Sequence, residues 1–196
     1  MKTTRTTRAV KPVKKAAATG RRAAPPDTSG KGRLGPKVGS PAPSFSLPAD
    51  SGEEVTLAGQ KGKWVVLYFY PRDNTPGCTR QAIAFQGAAS ALKQRGAVVL
   101  GVSRDSIPSH CGFKQKQGLR FLLLSDPDSK VHKLYGAYGD KMMYGKKVTG
   151  ALRTTAIIAP DGKLARTFSN VKVDGHADAV LAAIDEAKKT ATTSRG

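Results

Sequence analysis

The chain of 196 residues lacks most features of secreted or membrane proteins. It has two cysteines, too few for a disulfide framework, so a reducing compartment is expected. No stretch approaches the roughly 18 consecutive apolar residues of a membrane helix. The first 30 residues contain no apolar core of the kind found in secretory signals. The sequence therefore predicts neither a disulfide scaffold nor membrane attachment nor a secretory leader.

Histidine is also scarce, and the potential metal ligands are scattered. His110, His132 and His176 do not have the spacing of metal ligands, and Cys78 and Cys111 lie 33 positions apart. A zinc site would need clustered pairs of such residues. We expect no metal and no cofactor.

Acidic residues are nearly absent from the first part of the chain. Residues 1–37 hold 11 of the 33 lysines and arginines and one acid, Asp27, for a net charge of +10; the other residues carry +9. Few large apolar side chains occur there, so residues 1–37 are predicted to be a disordered basic extension. Three interpretations remain open: a solvated tail, nonspecific contact with nucleic acid, or an organelle transit peptide.

From about Gly39 the composition becomes that of a globular domain, predicted to span residues 38–190, with a short flexible tail at 191–196. The apolar runs "KWVVLYFYP", "AVVLGVS" and "FLLLSD" are typical of strands covered on both faces. Helical patterns alternate with them, and the first, "TPGCTRQAIAFQGAASALKQRG", is predicted to end at Gly96. "ALRTTAIIAPDGKLARTFSN" predicts a hairpin, and "GHADAVLAAIDEAKK" a closing helix. This order indicates an α/β thioredoxin-like fold, a central mixed sheet flanked by helices.

The segment "YPRDNTPGC" places one cysteine where a buried strand gives way to a helix. Thr75 precedes a proline, which suits an N-cap, and Pro76 then takes the first helical position. Cys78 falls in the first helical turn, where the helix dipole favours a thiolate. Gly77 leaves room for close approach. The pattern indicates a reactive nucleophile, although a free cysteine can also be a small buried apolar residue.

These residues carry a family resemblance. "PRDNTPGC" matches Pro-x-x-x-Thr-x-x-Cys, the active-site motif of peroxiredoxins, with Pro71, Thr75 and Cys78 in its fixed places. Four longer stretches resemble the peroxiredoxin Q (bacterioferritin comigratory protein) branch: "VVLYFYPRDNTPGCT", "VVLGVSRDSIPSH", "LLSDPDSKVHKLYGAYG" and "MYGKKVTGALRTT". The resemblance covers roughly residues 38–187 and excludes the basic extension.

The resemblance implies a thioredoxin-dependent or other thiol-dependent peroxidase that reduces hydrogen peroxide and organic hydroperoxides in antioxidant defence. Cys78 would attack the peroxide and become a sulfenic acid, Thr75 and Arg153 would orient the peroxide, and Pro71 would shield the sulfur. Arg153 lies in the apolar run "ALRTTAIIA", where a buried guanidinium needs a partner. A surface arginine is the alternative.

The sequence departs from the family pattern at the second cysteine. Many relatives place a resolving cysteine five residues after the first, where this chain has Ile83. Some members place it on the following helix, where Cys111 falls. Pairing needs Cα atoms within about 7 Å, so a buried Cys78 would require local unwinding. Whether Cys111 resolves Cys78 or is a bystander remains open.

Other functions compete with that of a thiol-dependent peroxidase. A disulfide oxidoreductase would need Cys-x-x-Cys, and Thr75 occupies the first position. A nucleic-acid-binding protein with an inactive peroxiredoxin-like domain, or an active peroxidase tethered to nucleic acid through residues 1–37, has support only from the basic extension. The expected partners are a peroxide and thioredoxin or another thiol, with no membrane. The resemblance favours a monomer, and the cytoplasm is the expected location, with nucleoid association and organelle targeting left open.

Overall fold

The computed structural model of the protein describes residues 35–143 and 145–193. The described residues form nine strands and five α-helices, with one short 3-10 helix at Ala58–Gln60. In chain order they are β1 (Ser46–Pro48), β2 (Glu54–Thr56), β3 (Trp64–Phe69), α1 (Pro76–Gly87), α2 (Ala89–Gln94), β4 (Ala97–Ser103), α3 (Ile107–Gln117), β5 (Leu122–Ser125), α4 (Lys130–Leu134), β6 (Tyr138–Met143), β7 (Lys146–Ala151), β8 (Thr154–Ile158), β9 (Leu164–Phe168) and α5 (His176–Thr193).

The core of the fold is a five-stranded mixed sheet in the order β5-β4-β3-β8-β9. Strand β3 pairs in parallel with β4, which pairs in parallel with β5, whereas β8 is antiparallel to both β3 and β9. Every residue of β3 is buried because both faces of the sheet are covered. The continuous apolar run therefore predicted its environment correctly.

Alternate side chains of β3 enter two separate cores. On one face, Trp64, Val66 and Tyr68 pack with residues of α1, α2, α3 and α5. On the other face, the intervening residues pack with β1, β2 and α4. A mixed sheet with helices on both faces confirms the predicted thioredoxin-like fold. The side of the sheet that carries α1 also carries Cys78.

Two predicted elements are wrong in their continuity. The helix expected to run to Gly96 is divided at Ala88 into α1 and α2, directly after Gly87, because glycine weakens a helix. Gly96 does stop α2, with a φ of +68°. The run "ALRTTAIIA" is not one strand, because Leu152 and Arg153 separate β7 from β8. The break occurs because β7 pairs with β6 in a separate hairpin, whereas β8 belongs to the central sheet.

The structure describes only part of the two predicted terminal segments. Residues 1–34 of the predicted basic extension and residues 194–196 lie outside the described residues. Gly35 packs closely against Tyr135, where an added Cβ would lie 2.7 Å from the carbonyl oxygen. Helix α5 continues to Thr193, beyond the boundary predicted at residue 190. None of the helices in the described ranges combines the length and apolar character that crossing a membrane requires.

Candidate active site

Cys78 lies in the first turn of α1, after the loop that connects β3 to this helix. Thr75 is the N-cap residue, with an extended backbone (φ −86°, ψ 148°), and Pro76 begins the helix. The Thr75 hydroxyl does not cap the helix but donates to the Arg72 carbonyl at 3.2 Å. The first N–H groups of a helix have no acceptor within it, and together with the helix dipole they stabilise an anion. Cys78 lies at this end of the helix and is only 2% exposed.

Arg153 contacts the sulfur directly. Its Nη2 donates to Cys78 Sγ at 3.5 Å, and its Nη1 donates to Gln81 Oε1 at 2.6 Å. Gly77 permits this approach, because a Cβ added there would lie 3.2 Å from Nη2. The Arg153 carbonyl accepts from the Val171 N–H at 3.0 Å, which fixes its backbone in the break between β7 and β8. The structure therefore brings Cys78 and Arg153, two of the predicted site residues, together.

Gln81 is a site residue that the sequence analysis missed. It is buried in α1, and its Oε1 accepts from Nη1 of the same guanidinium whose Nη2 donates to Cys78. Its position three residues after Cys78 is the available signal, because residues three apart share one face of a helix. A buried amide needs hydrogen-bond partners, and Arg153 supplies a donor for the Gln81 oxygen, whereas the buried Nε2 has no partner among the described residues.

A carboxylate in the loop before α1 holds the loop against α3. Asp73 accepts from the Tyr70 hydroxyl at 2.7 Å through Oδ1, and from Ser109 Oγ at 2.8 Å and His110 Nδ1 at 2.9 Å through Oδ2. Burial alone would raise the pKa of Asp73, but the hydrogen bonds from His110, Tyr70 and Ser109 outweigh it and lower the pKa. Asp73 is therefore held as a carboxylate. The sequence analysis did not identify it.

Aromatic rings belong to the same buried core as Cys78. Tyr68 and Tyr70 stack with centroids 5.3 Å apart, and Phe113 of α3 lies 6.4 Å from Tyr70. The pKa of Tyr68 is raised well above its ordinary value, chiefly by burial and to a smaller extent by the nearby Cys78 and Asp73. Burial raises the pKa of Tyr70 in the same way, so both phenols are neutral. Pro71, directly after Tyr70, is half-buried.

The structure does not bring Cys111 to Cys78. Both are free thiols, and Cys111 is exposed on α3, where its Sγ donates to the Asp50 carbonyl at 3.4 Å. Phe113 on the same helix is fully buried in the core that contains Cys78. Residues two apart on a helix point about 200° apart, so Cys111 faces away from the buried sulfur. Ile83, at the position of the missing resolving cysteine, is 50% exposed.

The hydrogen bonds of the other two histidines go to groups other than the sulfur. His132 Nδ1 donates to Asp126 Oδ2 at 2.7 Å, and His176 Nε2 lies 2.9 Å from the Thr155 hydroxyl oxygen. Burial, followed by the positive charge of Arg153, lowers the pKa of His176 to about 4. Within the described ranges, no three His, Cys, Asp or Glu residues form a group that could hold a metal ion.

A buried cysteine at a helix N-terminus, held by a guanidinium on a thioredoxin-like fold, defines a thiol-based redox enzyme. Comparison with known proteins agrees with this class. The AhpC/TSA family model matches residues 38–167. Peroxiredoxin Bcp of Xanthomonas campestris is 44% identical over 146 residues, covering 74% of this chain and 91% of the relative. Peroxiredoxin Bcp of Escherichia coli is 41% identical over 145 residues, covering 74% and 93%.

Solved structures point to the same branch. Xanthomonas campestris peroxiredoxin Q matches with a TM-score of 0.69 and 43% identity over 72% of this chain and 90% of that one. The Xanthomonas campestris bacterioferritin comigratory protein, whose alkyl peroxide reduction activity was the subject of its structural study, matches with the same TM-score and 42% identity, over 72% of this chain and 90% of that one. The chain belongs to the AhpC/TSA family, in its peroxiredoxin Q (bacterioferritin comigratory protein) branch, which confirms the resemblance inferred from the sequence.

Proposed function

We propose that the protein is a thiol-dependent peroxidase in which Cys78 is the nucleophile. The observation that carries this proposal is the contact between Arg153 Nη2 and Cys78 Sγ at 3.5 Å, in the first turn of a helix. Substrates are hydrogen peroxide and organic hydroperoxides. The alkyl peroxide reduction activity of the Xanthomonas campestris relative supports the second class.

The first half of the reaction is a displacement at oxygen. The Cys78 thiolate attacks the terminal oxygen of ROOH, the O–O bond breaks, and RO⁻ leaves and is protonated to ROH. The sulfur is oxidised to a sulfenic acid and the peroxide is reduced. Arg153 donates to the peroxide oxygens as negative charge moves onto the leaving group, while Gln81 fixes the guanidinium. Thr75 positions the peroxide through its hydroxyl, and Pro71 shields the sulfur from water.

The second half returns the sulfur to the thiol. A second thiol attacks the Cys78 sulfenic sulfur, a disulfide forms and water leaves. A further thiol, of thioredoxin or another reductant, then reduces that disulfide. Cys111 of the same chain is one candidate for the resolving thiol and an external thiol is the other. Because Cys78 is buried and Cys111 faces away from it, either route needs the site to open.

The proposal is tested by the rate of hydrogen peroxide consumption with dithiothreitol as reductant. Cys78→Ser should abolish turnover, because a hydroxyl is a poor nucleophile toward peroxide. The matched variant Cys111→Ser should keep it, because the external dithiol can resolve the sulfenic acid. Turnover that survives in Cys78→Ser would overturn the assignment of the nucleophile.

The interpretation as an inactive passenger of a nucleic-acid-binding protein has no support, because Arg153 contacts Cys78 and the similar proteins are peroxiredoxins. A tether to nucleic acid, an active peroxidase held by residues 1–37, rests on the +10 charge of that segment. Deletion of residues 1–37 should abolish retention on DNA at low salt and leave peroxide turnover unchanged. Equal retention without the segment would end this prediction. The monomeric state and the cytoplasmic location stay predictions.

A further inference from the structure

Helix α3 is joined to the catalytic loop by a compact group of buried bonds. Asp73 sits midway in the loop between β3 and α1, two residues before Thr75. Its Oδ2 accepts from Ser109 and His110, neighbouring residues in the first turn of α3. Both the Asp73 and the His110 side chains are almost completely buried, with 2% and 0% exposed. This is a link across 37 positions of sequence, from the loop that positions Thr75 to the helix that carries Cys111.

The link is anchored at both ends. On the helix side, His110 Nε2 lies 3.2 Å from the Leu124 carbonyl oxygen, so each ring nitrogen of His110 faces an acceptor. On the loop side, the Asp73 N–H donates to Asp105 Oδ2 at 2.9 Å, and Asp105 Oδ2 also accepts from Ser103 Oγ at 2.7 Å. The loop is therefore held through its backbone as well as through its side chain.

Opening of the site through the loop or α3 disturbs this link. Cys78 and Tyr70 belong to one buried cluster, and the Tyr70 hydroxyl donates to Asp73. A bulky thiol reaches the sulfur when the loop, α1 or α3 moves, and Cys111 approaches it when α3 rotates or unwinds. Motion of the loop or of α3 separates Asp73 from Ser109 and His110.

We infer that Asp73, Ser109 and His110 form a clamp that keeps the site closed for peroxide attack and sets how often it opens for resolution. The inference rests on the proposed function, because it assigns a step in the same catalytic cycle. The three residues are positioning residues, acting on Cys78 through the loop and α3. Breaking the clamp should speed every step that needs an exposed Cys78 sulfur.

The experiment uses the full chain with Cys111→Ser as the parent, so that the sulfenic acid persists. One equivalent of hydrogen peroxide oxidises Cys78, and the sulfenic acid is then trapped with dimedone, whose carbon bonds to sulfur as water leaves. The trapping rate, followed by intact mass, should rise about tenfold in His110→Asn, which replaces the imidazole in a buried pair. It should rise about threefold in Ser109→Ala, which removes one hydrogen bond from a half-buried position.

The chain contains a matched control. Asp126 and His132 form a second buried pair, at 2.7 Å, that makes no bond to the catalytic loop. His132→Asn should leave the trapping rate at the parental value. If His132→Asn accelerates trapping as much as His110→Asn, the effect is general destabilisation and the clamp is refuted. Parental rates in both Ser109→Ala and His110→Asn would refute it as well.

Amide hydrogen exchange on the reduced protein separates this inference from the proposed function, since it needs no peroxidase activity. In Ser109→Ala and His110→Asn, exchange should accelerate together in residues 73–80 and 107–113, and in neither segment in His132→Asn. Unchanged exchange in both segments would overturn the clamp even if Cys78 proved to be the nucleophile. Coupled acceleration with an unreactive Cys78 would overturn the proposed function and keep the clamp.

Discussion

The two buried Asp–His pairs of this domain use the same chemistry for different purposes. Asp73–His110 and Asp126–His132 have contacts of 2.9 Å and 2.7 Å, and both imidazoles are inaccessible to solvent. Asp126 also accepts from the backbone N–H groups of Lys130 and His132, so its pair closes the N-terminal turn of α4. The Asp73 pair instead joins two segments far apart in sequence, and its imidazole has a second acceptor.

The difference shows what gives a buried pair a role beyond stability. A carboxylate that caps its own helix satisfies backbone N–H groups that would otherwise lack partners, and its effect stays local. A carboxylate that binds a second element couples the motions of both. Only the Asp73 pair touches the loop that positions Cys78. We therefore expect similar stability costs from the two pairs and different catalytic consequences.

The largest effect should come from removing either carboxylate. Asp73→Ala and Asp126→Ala should each lower the free energy of unfolding by about 3–5 kcal/mol, because a buried imidazole loses its partner. Urea denaturation measures both costs. Alkylation of Cys78 by iodoacetamide under native conditions should accelerate more in Asp73→Ala. If alkylation of Cys78 accelerates equally in Asp73→Ala and Asp126→Ala, the two pairs do not differ in their effect on the site.

The next largest effect should come from changing Arg153, the residue that contacts Cys78. Arg153→Met should slow peroxide attack by about 100-fold or more, because charge developing on the leaving oxygen loses its donor. Thr75→Val should also lower this rate by a large factor. Arg166→Met, which removes an exposed arginine paired with Glu186, is the control and should react at the wild-type rate. A wild-type rate in Arg153→Met, measured by stopped-flow fluorescence of Trp64, would show that the arginine is misassigned.

A third buried histidine, His176, faces the Thr155 hydroxyl instead of a carboxylate. With its pKa at about 4, it stays neutral in the folded protein, whereas the unfolded chain binds a proton below about pH 6.5. Its stabilising contribution is complete above pH 6.5 and is lost as the pH falls toward 4. At pH 5 the loss should be about 2 kcal/mol relative to pH 8.

The carboxylates do not interfere in this range. The pKa values of Asp73 and Asp126 are lowered, so their stabilising contributions are lost only below the ordinary value of 3.8. Urea midpoints at pH 8 and pH 5 measure the loss, and His176→Gln should reduce it. If His176→Gln loses as much stability between the two pH values as the parent protein, another group is responsible.

The sequence predicted those features that depend on neighbouring residues. The order Thr75, Pro76, Gly77, Cys78 specifies a helix start with a cysteine in its first turn, and the apolar run of β3 specifies a strand buried on both faces. These are local consequences of backbone preference and burial. The contacts of Arg153 with Gln81 and of Asp73 with His110 join residues far apart in sequence, so only the folded structure reveals them.

Some local features also escaped prediction, for physical reasons. His110 and Cys111 are adjacent, and only packing decides that the imidazole faces inward and the thiol outward. The hairpin of β6 and β7 has little apolar alternation, so its strands gave no signal. The break at Arg153 follows from two different pairing partners, which the continuous run "ALRTTAIIA" does not reveal.

Peroxide should oxidise Cys78 first, and intact-protein mass spectrometry can locate the oxidised residue. The reduced wild-type protein is treated with one equivalent of hydrogen peroxide, with and without dimedone, and the modified residue is mapped by proteolysis. We expect either a dimedone adduct on Cys78 or a Cys78–Cys111 disulfide with a loss of about two mass units. Oxidation confined to Cys111, with Cys78 still a thiol, would show that Cys78 is not the nucleophile.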